Sequence, residues 1–190
     1  MDDMVITLPN LLTLLRILAV PFFAIAVWYG HMIDACILFV AAGLTDALDG
    51  YLARRFNQKS ALGAILDPAA DKLLITTAFI LMAFPREAWA VRIPPWVTIL
   101  AISRDVVISL VALLAYDHLD PSKFKPSMLG KLTTLVELVA ISLSLLLNTL
   151  GPHAWYRFVV PWIFYLMAAM VLASGIHYFF RTTGLNATTP

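Results

Sequence analysis

A chain of 190 residues with 61% hydrophobic and 13% charged side chains, and a mean hydropathy of +0.86, departs from soluble globular composition. It reads as one integral-membrane domain over residues 1–190. A formal net charge of +1 lacks the strong basic footprint of a nucleic-acid binder, and a single cysteine, Cys36, excludes an internal disulfide and a cysteine metal site.

The opening "MDDMVITLPN" is acidic where a secretory signal is basic, and no A-x-A-like site follows, so the first helix is expected to be retained. A helix needs roughly 20 mainly apolar residues to cross the hydrocarbon core. Six stretches qualify: Leu11–Tyr29, Ile33–Phe56, Pro68–Phe84, Pro95–Tyr116, Met128–Leu150 and Phe158–Phe180. The expected fold is therefore an all-α bundle of six transmembrane helices without internal repeats.

Basic loop residues orient such a bundle, because cytoplasmic loops carry the excess of Lys and Arg. One side collects Arg54, Arg55, Lys59, Lys72, Lys123, Lys125, Lys131 and Arg181, the other Arg86, Arg92 and Arg157. Both termini are expected to be cytoplasmic. Trp28, Trp89, Trp96 and Trp155 then lie at the opposite boundary, where amphipathic rings favour the interface.

Between Thr45 and Lys72 stand four aspartates, at a depth where an ionised carboxylate is costly and marks function by default. At about 100° per residue, Asp46, Asp49, Gly50 and Ala53 share one arc of roughly 100° on the second helix. Asp67 and Asp71, four residues apart, share a face of the third, and Asp67-Pro68 reads as an N-cap followed by proline at the first helical position. Unpaired, the four carboxylates repel one another, whereas two divalent cations balance them. All-oxygen donors select Mg²⁺ or Mn²⁺, and such ions keep coordination positions for a substrate phosphate. Gly50 and Ala53 leave a groove for a bulky ligand, and Arg54 can pair with its phosphates. The competing reading of the cluster is an ion- or proton-coupled transporter, with structural pairing as a further alternative.

The pattern Asp46-x2-Asp49-Gly50-x2-Ala53-Arg54-x8-Gly63-x3-Asp67-x3-Asp71 resembles the signature of the CDP-alcohol phosphotransferase family. The resemblance implies a membrane enzyme with six transmembrane helices that displaces CMP from a CDP-linked lipid with two divalent metals. It implies that Asp46, Asp49, Asp67 and Asp71 ligate metal, that Asp71 is also the general base, and that the active site faces the cytoplasm. Gly50, Ala53, Arg54 and Ser60 correspond to the nucleotide pocket. "LPNLLTLLRI" resembles the opening of bacterial members and brings Asn10 and Thr13 to that pocket. For Asn10, Thr13 and Arg16 a plain reading stands beside this one: a helix start at the membrane surface, and an arginine snorkelling to the headgroups.

For the acceptor, Arg104 on the fourth helix and Lys125 and Lys131 at the start of the fifth are the candidate phosphate contacts. Asp105 or another acidic group is the alternative partner of Arg104, and anionic lipid that of Lys125. The motifs look most like the CMP-forming, cardiolipin-making branch, which implies CDP-diacylglycerol as donor and phosphatidylglycerol as acceptor. Glycerol 3-phosphate is the alternative, weakened because Arg104-Asp105 is followed by Ser109 and Ala112 rather than a second arginine. A homodimer in a bacterial inner membrane completes what the resemblance implies.

Overall fold

The computed structural model describes residues 8–56, 61–87, 89–115 and 128–183, with side chains described over 11–45, 69–70, 72–87, 89–111 and 128–180. It is all-helical: α1 Leu8–Trp28, α2 Met32–Phe56, α3 Ala61–Ala83, α4 Pro95–Ala115, α5 Met128–Leu150 and α6 Tyr156–Thr183. Among the described residues, three stretches, Leu11–Tyr29, Met128–Leu150 and Tyr156–Phe180, are long and apolar enough to cross a membrane. In the same set, α2 and α3 contribute shorter apolar runs, Met32–Thr45 and Lys72–Ala83.

One boundary corrects the sequence expectation. α3 begins at Ala61 rather than at Pro68, so Asp67-Pro68 is not a helix start but lies in the second turn. The run "ALGAIL" before it is rich in good helix formers, and one missing N–H does not outweigh them. Proline is tolerated in the same way at Pro21 of α1 and Pro161 of α6, as membrane helices allow.

α1 packs on α2 and α3, α5 on α2 and α6, and α4 on α6 and α3. Phe23, Phe39, Phe79, Met82, Ile141, Leu145 and Met167 fill the centre. The polar side chains Thr13, Arg16, Thr98, Thr133, Glu137, Ser144 and Ser174 are also buried, while leucines, isoleucines and phenylalanines cover the outside. The core is mainly apolar, but so is the exterior, which is what a lipid solvent imposes. Buried hydroxyls bond back to their own helix, as Ser144 Oγ does to the Ala140 carbonyl (2.7 Å) and Thr133 Oγ1 to the Leu129 carbonyl (2.8 Å).

One end of the bundle is closed by aromatic and amide contacts. Trp28 meets Phe84 edge-on with centroids 6.4 Å apart, and the Arg86 guanidinium lies 4.7 Å from the Trp28 ring. Asn148 clamps the α3–α4 connection: Val91 N–H donates to its Oδ1 (2.9 Å) and its Nδ2 donates to the Val91 carbonyl (2.8 Å). Replacing Asn148 by alanine leaves both main-chain groups unpaired and is expected to lower stability by about 1–3 kcal/mol. An unchanged unfolding midpoint in detergent would rule out the clamp.

Candidate active site

α2 and α3 are consecutive helices, and their residue ranges place the aspartates at matching depths. Asp49 lies seven residues before the end of α2 and Asp67 six after the start of α3; Asp46 and Asp71 each lie ten residues from those ends. With a rise of about 1.5 Å per residue, the two pairs sit roughly 10 and 15 Å from the α2–α3 connection. Gly50, Ala53 and Arg54 continue along α2 toward it, and Asn10 is on the first turn of α1. Side chains from 46–56, 61–68 and 71, and that of Asn10, lie outside the described set; Ser60 and Lys125 lie outside the described residues altogether.

The surroundings of this register are described in detail. Thr13 of α1 is fully buried, and Arg16, one turn on, is 2% exposed. The snorkelling reading of Arg16 is therefore overturned: α1 is enclosed by α2 and α3, and its inward face cannot reach the headgroups. Arg16 lines a small cavity of about 40 Å³ with Ala42, Gly43, Leu74, Ile75, Thr134 and Leu138. Ala42 and Gly43 precede Asp46 by one turn and Leu74 and Ile75 follow Asp71 by one turn. A buried cation thus stands about one turn from the carboxylate register, where the low dielectric strengthens its field.

The residue after Asp71 ties α3 to α4: Lys72 Nζ donates to the Asp105 carbonyl (3.3 Å) and to Ser109 Oγ. Both residues line a groove of about 380 Å³ with Thr76, Ile102 and Leu110. Arg104 pairs with Asp105 Oδ1 of its own helix (2.6 Å) and ties α4 to α6 by donating to Ser174 Oγ (2.5 Å). It also borders an apolar groove of about 330 Å³ between those helices. Glu137 of α5, 1% exposed, lies within electrostatic reach of Asp105, Arg104 and Lys72. Lys131 is exposed on the first turn of α5. The structure thus places Arg104 with Asp105, the structural partner, and does not bring it together with Lys131 by any described contact.

Sequence reasoning did not single out the bridging role of Lys72 or the burial of Glu137. A hint was present for Arg16 and Thr13, which are three residues apart and so share a helix face.

With this geometry in view, comparison with known proteins places the chain. The family model for CDP-alcohol phosphatidyltransferase matches residues 6–175, and the protein belongs to that family. It is a membrane phosphatidyltransferase of phospholipid biosynthesis, which answers the transporter alternative. A Salmonella typhimurium protein named CDP-diacylglycerol–glycerol-3-phosphate 3-phosphatidyltransferase is 33% identical, covering 93% of this chain and 95% of its own length. Proteins of the same name from Shigella flexneri, at 33%, and Escherichia coli, at 32%, each align over 90% of this chain and 92% of their own.

The Arg104 bridge yields a direct test. Arg104 and Asp105 side chains are only 11% and 21% exposed, so Arg104→Met strands a carboxylate and the Ser174 hydroxyl in a water-poor site. A loss of about 2 kcal/mol is expected, with partial recovery in Arg104→Lys, which keeps charge without the two-pronged geometry. Unfolding midpoints of the two variants that match wild type would refute the bridge.

Proposed function

We propose that the protein transfers the phosphatidyl group of CDP-diacylglycerol to glycerol 3-phosphate, forming phosphatidylglycerophosphate and CMP. The Salmonella, Shigella and Escherichia coli relatives, aligned over nine-tenths of the chain or more, carry glycerol 3-phosphate in their names, and that observation carries the reading. It shifts the acceptor away from the phosphatidylglycerol that the sequence motifs favoured. Phosphatidylglycerol stays as the second reading on a specific ground. Arg104 is engaged by Asp105 and Ser174 and Lys72 by Ser109, leaving few free cations for a small dianion among the described residues.

The donor set on α2 and α3 fits a pair of hard divalent cations, Mg²⁺ or Mn²⁺, since it consists of carboxylates on two helices at matched depths. Asp46, Asp49, Asp67 and Asp71 would hold them, and the ions would supply Lewis-acid stabilisation of phosphate charge. Asn10, Thr13, Gly50, Ala53, Arg54 and Ser60 form the nucleotide and pyrophosphate pocket in this reading, and Arg104, Lys125 and Lys131 the acceptor side.

Asp71 takes the proton from the acceptor hydroxyl. The hydroxyl oxygen forms a bond to the β-phosphorus, the bond from that phosphorus to the bridging oxygen breaks, and CMP leaves with the bridging oxygen and its electron pair. Arg54 balances the charge that gathers on the departing phosphate. Lys72, held on α4, fixes the α3 turn that carries Asp71, and the buried Arg16 cation offsets the carboxylates from below.

All six helices span the membrane in this proposal, with both termini and the aspartates on the cytoplasmic side of a bacterial inner membrane and a second copy completing a homodimer. The three spans identified by length and apolarity and the bacterial relatives support it.

The deciding experiment is CMP release by purified protein from CDP-diacylglycerol and Mg²⁺, with glycerol 3-phosphate or phosphatidylglycerol as acceptor and the lipid products resolved. Phosphatidylglycerophosphate is the expected product; cardiolipin would transfer the assignment to the second reading. Asp71→Asn should slow turnover by about 10²- to 10⁴-fold while retaining part of the CDP-lipid binding, and near-normal rates would refute its role as base. Chelation with EDTA should stop CMP release and Mg²⁺ restore it; turnover that persists in EDTA would exclude the metal pair.

A further inference from the structure

At the end of the bundle away from the aspartates, a cavity of about 500 Å³ opens between the α3–α4 connection, the start of α4 and the start of α6. Two arginines line it, Arg92 from the connection and Arg157 from the first turn of α6, and no Asp or Glu does. Both are exposed, and neither has an ion pair or hydrogen bond among the described residues. Arg86, the third arginine at this end, differs: its guanidinium lies over the Trp28 and Trp89 rings at 4.7 and 5.7 Å. Two like charges in the lining of one concave site, with no acidic residue in that lining, call for an anion.

Two other polar side chains of the lining are engaged within the protein. His153 Nδ1 lies 3.0 Å from the Gly151 carbonyl, which can only accept, so Nδ1 carries the proton of that hydrogen bond. Tyr156 donates its hydroxyl to the Leu147 carbonyl (3.3 Å). The permanent cations of this lining are the two arginines.

The walls identify the source of the anion. Val160 and Phe164 form a buried apolar floor, and Trp96 and Tyr165, with ring centroids 6.0 Å apart, form a side wall. Just outside, Phe158 and Trp162 are 75% and 73% exposed on the lipid-facing surface of α6. Cations beside aromatic rings at helix ends suit the headgroup layer, and an apolar floor running onto a lipid-facing helix suits an acyl chain. A soluble phosphate would use only half of this site.

We propose that this cavity binds an anionic phospholipid of the leaflet opposite the aspartates, with Arg92 and Arg157 on its phosphate and the acyl chains along α6. The site is separate from the transfer chemistry and rests only on the chain's being a membrane protein.

The test compares wild type with Arg92→Gln/Arg157→Gln and with Arg92→Lys/Arg157→Lys. Each is purified full-length in detergent and titrated with phosphatidylglycerol, phosphatidylcholine or inorganic phosphate, with bound lipid counted by native mass spectrometry and thermal stabilisation followed in parallel. Lipid at the transfer site is common to all three proteins, so the difference between them reports this cavity. The Gln variant should lose one phosphatidylglycerol, or bind it about tenfold more weakly, and the Lys variant should keep most of the binding. CMP release in a phosphatidylcholine background should be unchanged in both. Equal phosphatidylglycerol binding by wild type and the Gln variant overturns the proposal. So does stabilisation by phosphatidylcholine or inorganic phosphate that matches phosphatidylglycerol and vanishes in the Gln variant, since either would mark a site without selectivity for an anionic lipid. A wild-type protein that releases no CMP would sink the functional reading and leave this lipid difference standing.

Discussion

Charge placed where water is scarce is the constraint on which the rest of this bundle depends. An ionised group leaving water loses solvation that only a close opposite charge or a fixed set of hydrogen bonds can replace. Carboxylates half-way along α2 and α3 therefore dictate what neighbouring helices carry. Arg16 is buried one turn from their register, and Lys72, Arg104, Asp105, Ser174 and Glu137 form a polar layer across α3, α4, α5 and α6. Apolar side chains fill the remaining core and also cover the outside, where hydrocarbon receives them without cost.

The two ends of the bundle divide the work. At the aromatic end, ring pairs, the Asn148 clamp and the Tyr156 hydroxyl join connections to helix ends. At the other, ties between helices pass through charged side chains, which hold position while remaining able to face a polar substrate. A phosphatidyltransferase needs this arrangement, because its donor enters from lipid and its leaving nucleotide belongs to water.

Legibility in the sequence tracked how local each signal was. α5 was read with its observed bounds, since Pro126 and Gly151 punctuate an uninterrupted apolar run. The start of α3 was misplaced because proline is a strong local signal that a run of helix formers overrode. The aspartate spacing was legible because intervals of three and four residues mean one face whatever the surroundings. Arg16 was not: an arginine near a helix end serves equally well pointing out to headgroups or in toward carboxylates, and its own sequence neighbourhood is the same in both cases.

By itself the sequence determined the class of solvent, the helical periodicity and the carboxylate pattern that marks the family, all of which follow from composition and spacing along one chain. Only the tertiary structure decided which charges are buried, which helices pack on α1, how Lys72 and Arg104 are engaged, and that Arg92 and Arg157 line one cavity. The reason is physical: a charged side chain's partner in a bundle comes from another helix, and which helix stands beside it is set by packing over the whole molecule.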